Sequence, residues 1–149
     1  RSHCVEPTDL ENFQKAQTTK WKAIFIEVLA NPGGIVLDGE PIVAIARAHR
    51  GKLPMAVATG GQRGCITQIL EHLGLADWFD ALVTSEDVEN PKPAPDTFLK
   101  AAEAIGIDPG HCRAYEDTDL GMQAIRAAGM MAVDVREIPG VLQKSAAKP

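Results

Sequence analysis

The sequence predicts an α/β fold: a parallel sheet flanked by helices. Short apolar runs alternate with amphipathic helical stretches from Met55 onward, joined by short links rich in glycine and proline. The sharpest polar residues fall just past the predicted strand ends, where ligands sit in such sheets. At 149 residues, 45% of them hydrophobic, the chain is one domain's worth and can bury a core.

The elements follow in order. Leu10, Phe13, Ala16, Trp21, Ile24, Phe25, Val28 and Leu29 recur at roughly helical spacing, so residues 9–30 read as mostly helical. Asn31-Pro32-Gly33-Gly34 is a firm stop. A helix is expected over Glu40–His49, with Ile42, Val43, Ile45 and Ala46 as its apolar stripe. Met55–Ala58 is a continuous apolar run, as a strand covered on both faces requires. Cys65, Ile66, Ile69, Leu70 and Leu73 mark the next helix, closed by Gly74. Ala81–Thr84 is a second strand. Pro95–Ile105 is a helix with proline at its start and Gly106 after its end. Cys112–Tyr115, Leu120–Ala128 and Met131–Val135 complete the alternation as strand, helix and strand. The expected organisation is an N-terminal helical segment over 1–36, an α/β core over 37–136, and a tail over 137–149.

Composition excludes several classes. A net charge of -5 argues against a nucleic-acid binder, and 5% aromatic residues leave little for base stacking. No apolar run approaches the roughly 20 residues a membrane span needs; the longest candidate, Ala23–Ala30, is interrupted by Glu27. Residues 1–11 contain no apolar stretch of the signal-peptide kind. Cys4, Cys65 and Cys112 are an odd number without Cys-x-x-Cys spacing, which reads as reduced thiols in a cytoplasmic protein. The chain starts at Arg1, not methionine, consistent with a vector-derived leader or a piece of something longer. Cys65 and Cys112 are expected in the core. Trp78 and Phe79 are expected to pack a loop against it. His72 and His111 have no ligand partners at useful spacing. Arg63 reads as solvated or as a contact to an anion.

Three loops could carry chemistry. Thr59-Gly60-Gly61 links a strand to a helix. A hydroxyl, glycine-freed amides and a helix N-terminus together suit an anion; a tight turn needing glycine accounts for the same residues. Lys92 lies in Asn90-Pro91-Lys92-Pro93-Ala94-Pro95-Asp96, whose three prolines stiffen the loop. Such a loop can aim an ammonium at a phosphate, although an ordinary solvated lysine also fits. Glu116-Asp117 follows the strand at Cys112–Tyr115. Adjacent carboxylates are costly to hold together without a cation, and hard oxygen donors suit Mg²⁺. The bland alternative is an acidic loop before a helix, with Asp119 as its cap.

In that order, a hydroxyl loop, a rigid lysine and an acidic pair describe a phosphate-plus-magnesium site. The stretch from about Leu37 to Val135 resembles the haloacid dehalogenase-like (HAD) hydrolases. More narrowly, it is similar to the β-phosphoglucomutase and sugar-phosphate phosphatase branch, including fructose-1-phosphatase-like members. The matching text is Pro54–Gly60, Glu71–Leu75 followed by Trp78–Asp80, Lys92–Phe98, Tyr115–Gly121 and Ala127–Met130. The resemblance implies a HAD-like Rossmannoid sheet with a truncated or degenerate helical cap at the N-terminus. It also implies roles. Thr59, with Gly60 and Gly61, would bind the phosphoryl group. Lys92 would neutralise charge on phosphate and nucleophile. Glu116 and Asp117 would hold Mg²⁺. The substrate would be a small phosphorylated metabolite such as a sugar phosphate.

One family motif is missing. The first strand should end in Asp-x-Asp-Gly-Thr, whose aspartates are nucleophile and general acid/base. Before Thr59 the carboxylates are Glu6, Asp9, Glu11, Glu27, Asp38 and Glu40, and none forms Asp-x-Asp. The lone Asp-x-Asp, Asp117-Thr118-Asp119, belongs to the fourth motif. The favoured expectation makes residues 9–34 the last cap helix and Leu37-Asp38-Gly39 a linker. The alternative makes Ala23–Ile26 a degenerate first strand, with Ile26 and Val28 where aspartates would stand. In the family that strand lies mid-sheet. Either residues 22–28 fill its slot or a homodimer covers the exposed edges. The expected function is a catalytically impaired sugar-phosphate phosphatase or phosphomutase core. A non-catalytic binding or assembly module is the alternative, and a flavodoxin-like signalling domain or a dehalogenase fits less well.

Overall fold

The computed structural model of the chain describes residues 23–26 and 40–138. Strands and helices alternate through them: β1 (Ala23–Ile26), α1 (Glu40–His49), β2 (Met55–Ala58), α2 (Arg63–His72), β3 (Ala81–Val83), α3 (Asp96–Ala104), β4 (Cys112–Glu116), α4 (Asp119–Ala127) and β5 (Met131–Asp134). The five strands form one sheet in the order β3-β2-β1-β4-β5. Every pairing is parallel. The α/β class is the one the sequence predicts, and the elements from α1 to β5 fall within two residues of their expected bounds.

The strands β2 and β4 split their side chains between two layers, because successive residues face opposite sides. Ala56, Ala58, Cys112 and Ala114 face α3 and α4, where Phe98, Ala101, Ala102, Ala124 and Ile125 complete a buried cluster. Small side chains on the strands leave room for Phe98 and Ile125, both 0% exposed. Burying each contributes about 2–3 kcal/mol. Met55, Val57 and Tyr115 face the other way, against Ala46 of α1 and Ile66 and Leu70 of α2. Trp78 and Phe79 pack against the same side, as expected. Glycine ends two of the helices on the other side. Gly106 and Gly129 adopt φ of 68° and 76° just past α3 and α4, a conformation other residues adopt only under strain.

The favoured reading of the N-terminal region is corrected at residues 23–26. Ala23-Ile24-Phe25-Ile26 is not part of a helix. It is the central strand, with Phe25 in register with Ala56 of β2 and Ala114 of β4. A short run of apolar residues satisfies a helical template and a central strand equally well. The two open edges of β2 and β4 decide between them, since each offers a row of backbone groups that a strand can pair. The chain itself thus fills the middle of the sheet. The cap-helix reading of the remaining residues up to 34, the Asn31–Gly34 stop and the linker at 37–39 lie outside the described residues.

All these strands run the same way, so their carboxyl ends share one rim. Thr59 follows β2, Thr84 follows β3 and Asp117 follows β4. Among the described residues no helix is long and apolar enough to cross a membrane.

Candidate functional site

The Thr59 loop is tied to its neighbour strand. Thr59 donates its backbone N–H to the Val83 carbonyl at 2.9 Å, which carries the ladder one residue past β2. Its side chain is buried, and its Oγ1 accepts the Gly61 N–H at 3.1 Å. Gly60 is exposed, and a Cβ there would meet nothing within 4 Å. Gly61 is the opposite case: a Cβ would lie 2.8 Å from Ile66 Cδ1. The loop is therefore packed on its inner side and open at Gly60.

Lys92 reaches this loop from the connection between β3 and α3. Asn90 Nδ2 donates to Asp96 Oδ2 at 2.9 Å, and Ala94 donates to the Pro91 carbonyl at 3.0 Å, closing the proline-rich segment on itself. The lysine side chain lies over the Phe98 ring, with Nζ 4.8 Å from its centroid. Its ammonium donates to Glu116 Oε2 at 2.8 Å and to the Ala58 carbonyl at 3.4 Å. The lysine side chain is 11% exposed and the glutamate 0%. Lys92 is thus not an ordinary solvated lysine. It bridges the Thr59 loop and the acidic pair, bringing the three predicted loops together on one rim.

Glu116 is held from both sides. Its Oε1 accepts from Asp117 N, Thr118 N and Thr118 Oγ1 at 3.0, 2.9 and 2.9 Å. Thr118 in turn caps α4, its Oγ1 accepting the Gly121 N–H at 3.0 Å. This corrects the expectation for Asp119. The cap is Thr118, one residue earlier, and Asp119 is the first residue of α4 with its carboxylate on Arg136 at 2.7 Å. The turn out of β4 brings the Thr118 hydroxyl, not the Asp119 carboxylate, over the helix end. Gly121 matters for the same geometry, because a Cβ there would fall 2.0 Å from Glu116 Oε2.

Asp117 completes the pair. Burial, then the neighbouring Glu116 carboxyl, pushes its pKa up to about 6. Its Oδ1 is buried with no hydrogen-bond partner among the described residues. Such a hard, unpartnered oxygen beside a second carboxylate fits a Mg²⁺ ligand. It makes only part of a shell, for no group of three or more metal-ligating side chains occurs among the described residues.

Sequence reasoning missed a second layer. After β3, Asp87 accepts from Thr84 and from the Arg63 guanidinium, and Glu86 accepts from the Arg63 N–H. Arg63 is partly exposed, and its guanidinium donates to the Asp87 carboxylate and to the Leu82 carbonyl. The pattern Thr-x-x-Asp was the available signal. Cys65 is also corrected, being exposed, because Ile66 and Leu70 define the buried face of α2 and Cys65 lies off it. Cys112 is buried, as expected.

Comparison with known proteins agrees with this arrangement. The family described as haloacid dehalogenase-like hydrolase matches residues 7–129. The chain is similar to the fructose-1-phosphate phosphatase YqaB of Escherichia coli (strain K12), 49% identical over 96 residues, 64% of this chain and 51% of that one. It is similar to protein CbbY of Rhodobacter capsulatus, 30% identical over 132 residues, 85% of this chain and 56% of the relative. Among solved structures, a β-phosphoglucomutase from Clostridium difficile superimposes with TM-score 0.59 at 27% identity, over 66% of this chain and 43% of that one. The chain spans about half the length of the curated relatives it matches. A parallel sheet of this order, a lysine bonded to an acidic pair at its rim and a family match across most of the sequence agree: the chain belongs to the haloacid dehalogenase-like hydrolases.

Proposed function

We propose that this chain carries the phosphate- and Mg²⁺-binding part of a sugar-phosphate phosphatase or phosphomutase site, with little or no phosphoryl turnover of its own. The observation that carries the reading is the Lys92 ammonium, bonded to Glu116 and to the Ala58 carbonyl beside Thr59. One cation there serves two loops. Phosphoryl transfer depends on positioning and on neutralising the charge of the transferring group. Thr59 and the Gly60 and Gly61 amides would hold the phosphate oxygens, with Lys92 beside them. Glu116 and Asp117 would hold Mg²⁺, which when bound screens phosphate charge; water and phosphate oxygens would supply its other ligands. The names of the relatives, a fructose-1-phosphate phosphatase and a β-phosphoglucomutase, support a small phosphorylated sugar as the ligand.

The expected low turnover rests on the nucleophile. Covalent catalysis requires one, and no Asp-x-Asp precedes Thr59. Asp117-Thr118-Asp119 does not substitute for it, since the exposed Asp119 carboxylate accepts from Arg136. The test has two arms. Inorganic phosphate titrated with Mg²⁺ and followed by ³¹P NMR should bind the chain, and Thr59→Val should weaken it. Hydrolysis of an aryl phosphate should stay at background. Turnover abolished by Asp117→Asn would overturn the proposal of an impaired core.

A further inference from the structure

We propose that Asp87, acting through Arg63, is a positioning residue that fixes the shape of the Thr59–Gly61 loop. The inference rests on the reading of that loop as a phosphate site and adds residues to which that reading assigns no role.

Residues 84–87 form a latch against the loop. Ser85 donates both its N–H and its Oγ–H to the Gly61 carbonyl, at 3.2 and 3.1 Å. Glu86 Oε1 accepts the Arg63 N–H at 3.2 Å, a capping bond that reaches α2 from another loop. Gln62, the residue at the cap position, makes no such side-chain bond. Asp87 fastens the latch. Its Oδ2 accepts from Thr84 N at 2.7 Å, from Thr84 Oγ1 at 2.8 Å and from the Arg63 guanidinium. These bonds, the Thr84 N–H first among them, hold the Asp87 carboxyl below the usual carboxylate range.

The charge arrangement needs explaining. Arg63 opens α2, and a cation at a helix N-terminus opposes the helix dipole. Asp87 and Glu86 offset that cost, one by pairing with the guanidinium and the other by capping. The guanidinium meanwhile donates to the Leu82 carbonyl at 3.0 Å, tying the start of α2 to β3. The first residue of α2 and the Gly61 carbonyl are thereby both pinned to the 82–87 segment. Only the Gly60 side of the loop stays open. Without the Asp87 charge, the guanidinium loses its ion partner and the two Thr84 bonds lose their charged acceptor. The loop is then free to change shape where a ligand would sit.

The test uses the full 149-residue chain and ¹⁵N-labelled amides. Asp87→Asn should shift and broaden the Gly60 and Gly61 signals and speed their hydrogen exchange, with Ala114 and Ile125 unchanged. Affinity for inorganic phosphate should fall about three- to tenfold, the scale of one ordinary hydrogen bond. Asp87→Glu should stay near wild type, because glutamate also completes a Thr-x-x-acid box. Arg50→Ala, which removes an exposed ion pair with Asp77, should change neither readout. Unaltered Gly60 and Gly61 amides in Asp87→Asn, or an equal loss of protection at Ala114 and Ile125, would overturn the positioning role. If wild type shows no phosphate-dependent shifts, the phosphate reading fails, and the amide comparison still decides the latch.

Discussion

The Lys92 ammonium lies 2.8 Å from Glu116 Oε2, and the glutamate side chain is wholly buried. Breaking such a pair leaves an uncompensated charge in a low dielectric, which typically costs about 3–5 kcal/mol. Lys92→Met is therefore expected to destabilise the chain by about that much. Adding Glu116→Gln to it should recover a large part of the loss. Urea unfolding of the two single variants and the double variant measures this, and a double variant no more stable than Lys92→Met would refute the account.

Gly121 sits in the first turn of α4, where helix propensity alone favours alanine by about 1 kcal/mol. The carboxylate of Glu116 occupies the space a methyl group would need. Overpacking of this kind costs about 1–3 kcal/mol, more than propensity returns. Gly121→Ala is expected to lower the melting temperature and to weaken phosphate binding by displacing Glu116 from Lys92. Exposed Gly64, with nothing within 4 Å of a built Cβ, is the control: Gly64→Ala should be neutral or mildly stabilising.

Asp117 makes stability depend on pH. Its pKa in the fold is raised to about 6 by burial and by Glu116. An unfolded aspartate titrates near 3.9. Between those values the folded state holds more protons than the unfolded one, so the contribution of Asp117 to stability falls as pH rises through that window. In chelator-treated buffer, Asp117→Asn should remove this loss. It should gain about 1–2 kcal/mol over wild type at pH 7, after discounting for solvent screening, and little at pH 4. Urea unfolding at the two pH values provides the comparison.

The cysteines should differ in reactivity. Cys65 is exposed on α2, whereas Cys112 is buried and its thiol is pushed up to about 11, chiefly by burial. The thiolate is the reactive form. An alkylating reagent followed by peptide mapping should modify Cys65 in the native chain, and Cys112 only after unfolding. Rapid native modification of Cys112 would contradict its burial.

Much of this architecture is legible in the sequence because it rests on local signals. Met55–Ala58 is an apolar run punctuated by turns, and Gly106 and Gly129 mark helix ends. Lys92 and Glu116-Asp117 are readable as a pair because both lie in connections that leave the carboxyl ends of strands in a parallel sheet. What stays hidden depends on distant partners. Ala23–Ile26 takes its strand identity from β2 and β4, which follow it in the chain. Thr84-Ser85-Glu86-Asp87 reads as a local turn, and its bond to Arg63 cannot be seen until β2 and β3 are adjacent. Cys65 fails for a simpler reason: an apolar residue on an amphipathic helix need not belong to the buried stripe.

The place of β1 bears on how the protein is made. Ala23 leaves the ribosome well before one of its partners, Cys112, is synthesised. Closing so long a loop is slow. Until that happens the nascent chain holds one edge of β1 unsatisfied, so completion of the sheet waits on β4 and β5. A release point placed before residue 112 should yield polypeptides that associate with one another instead of folding alone.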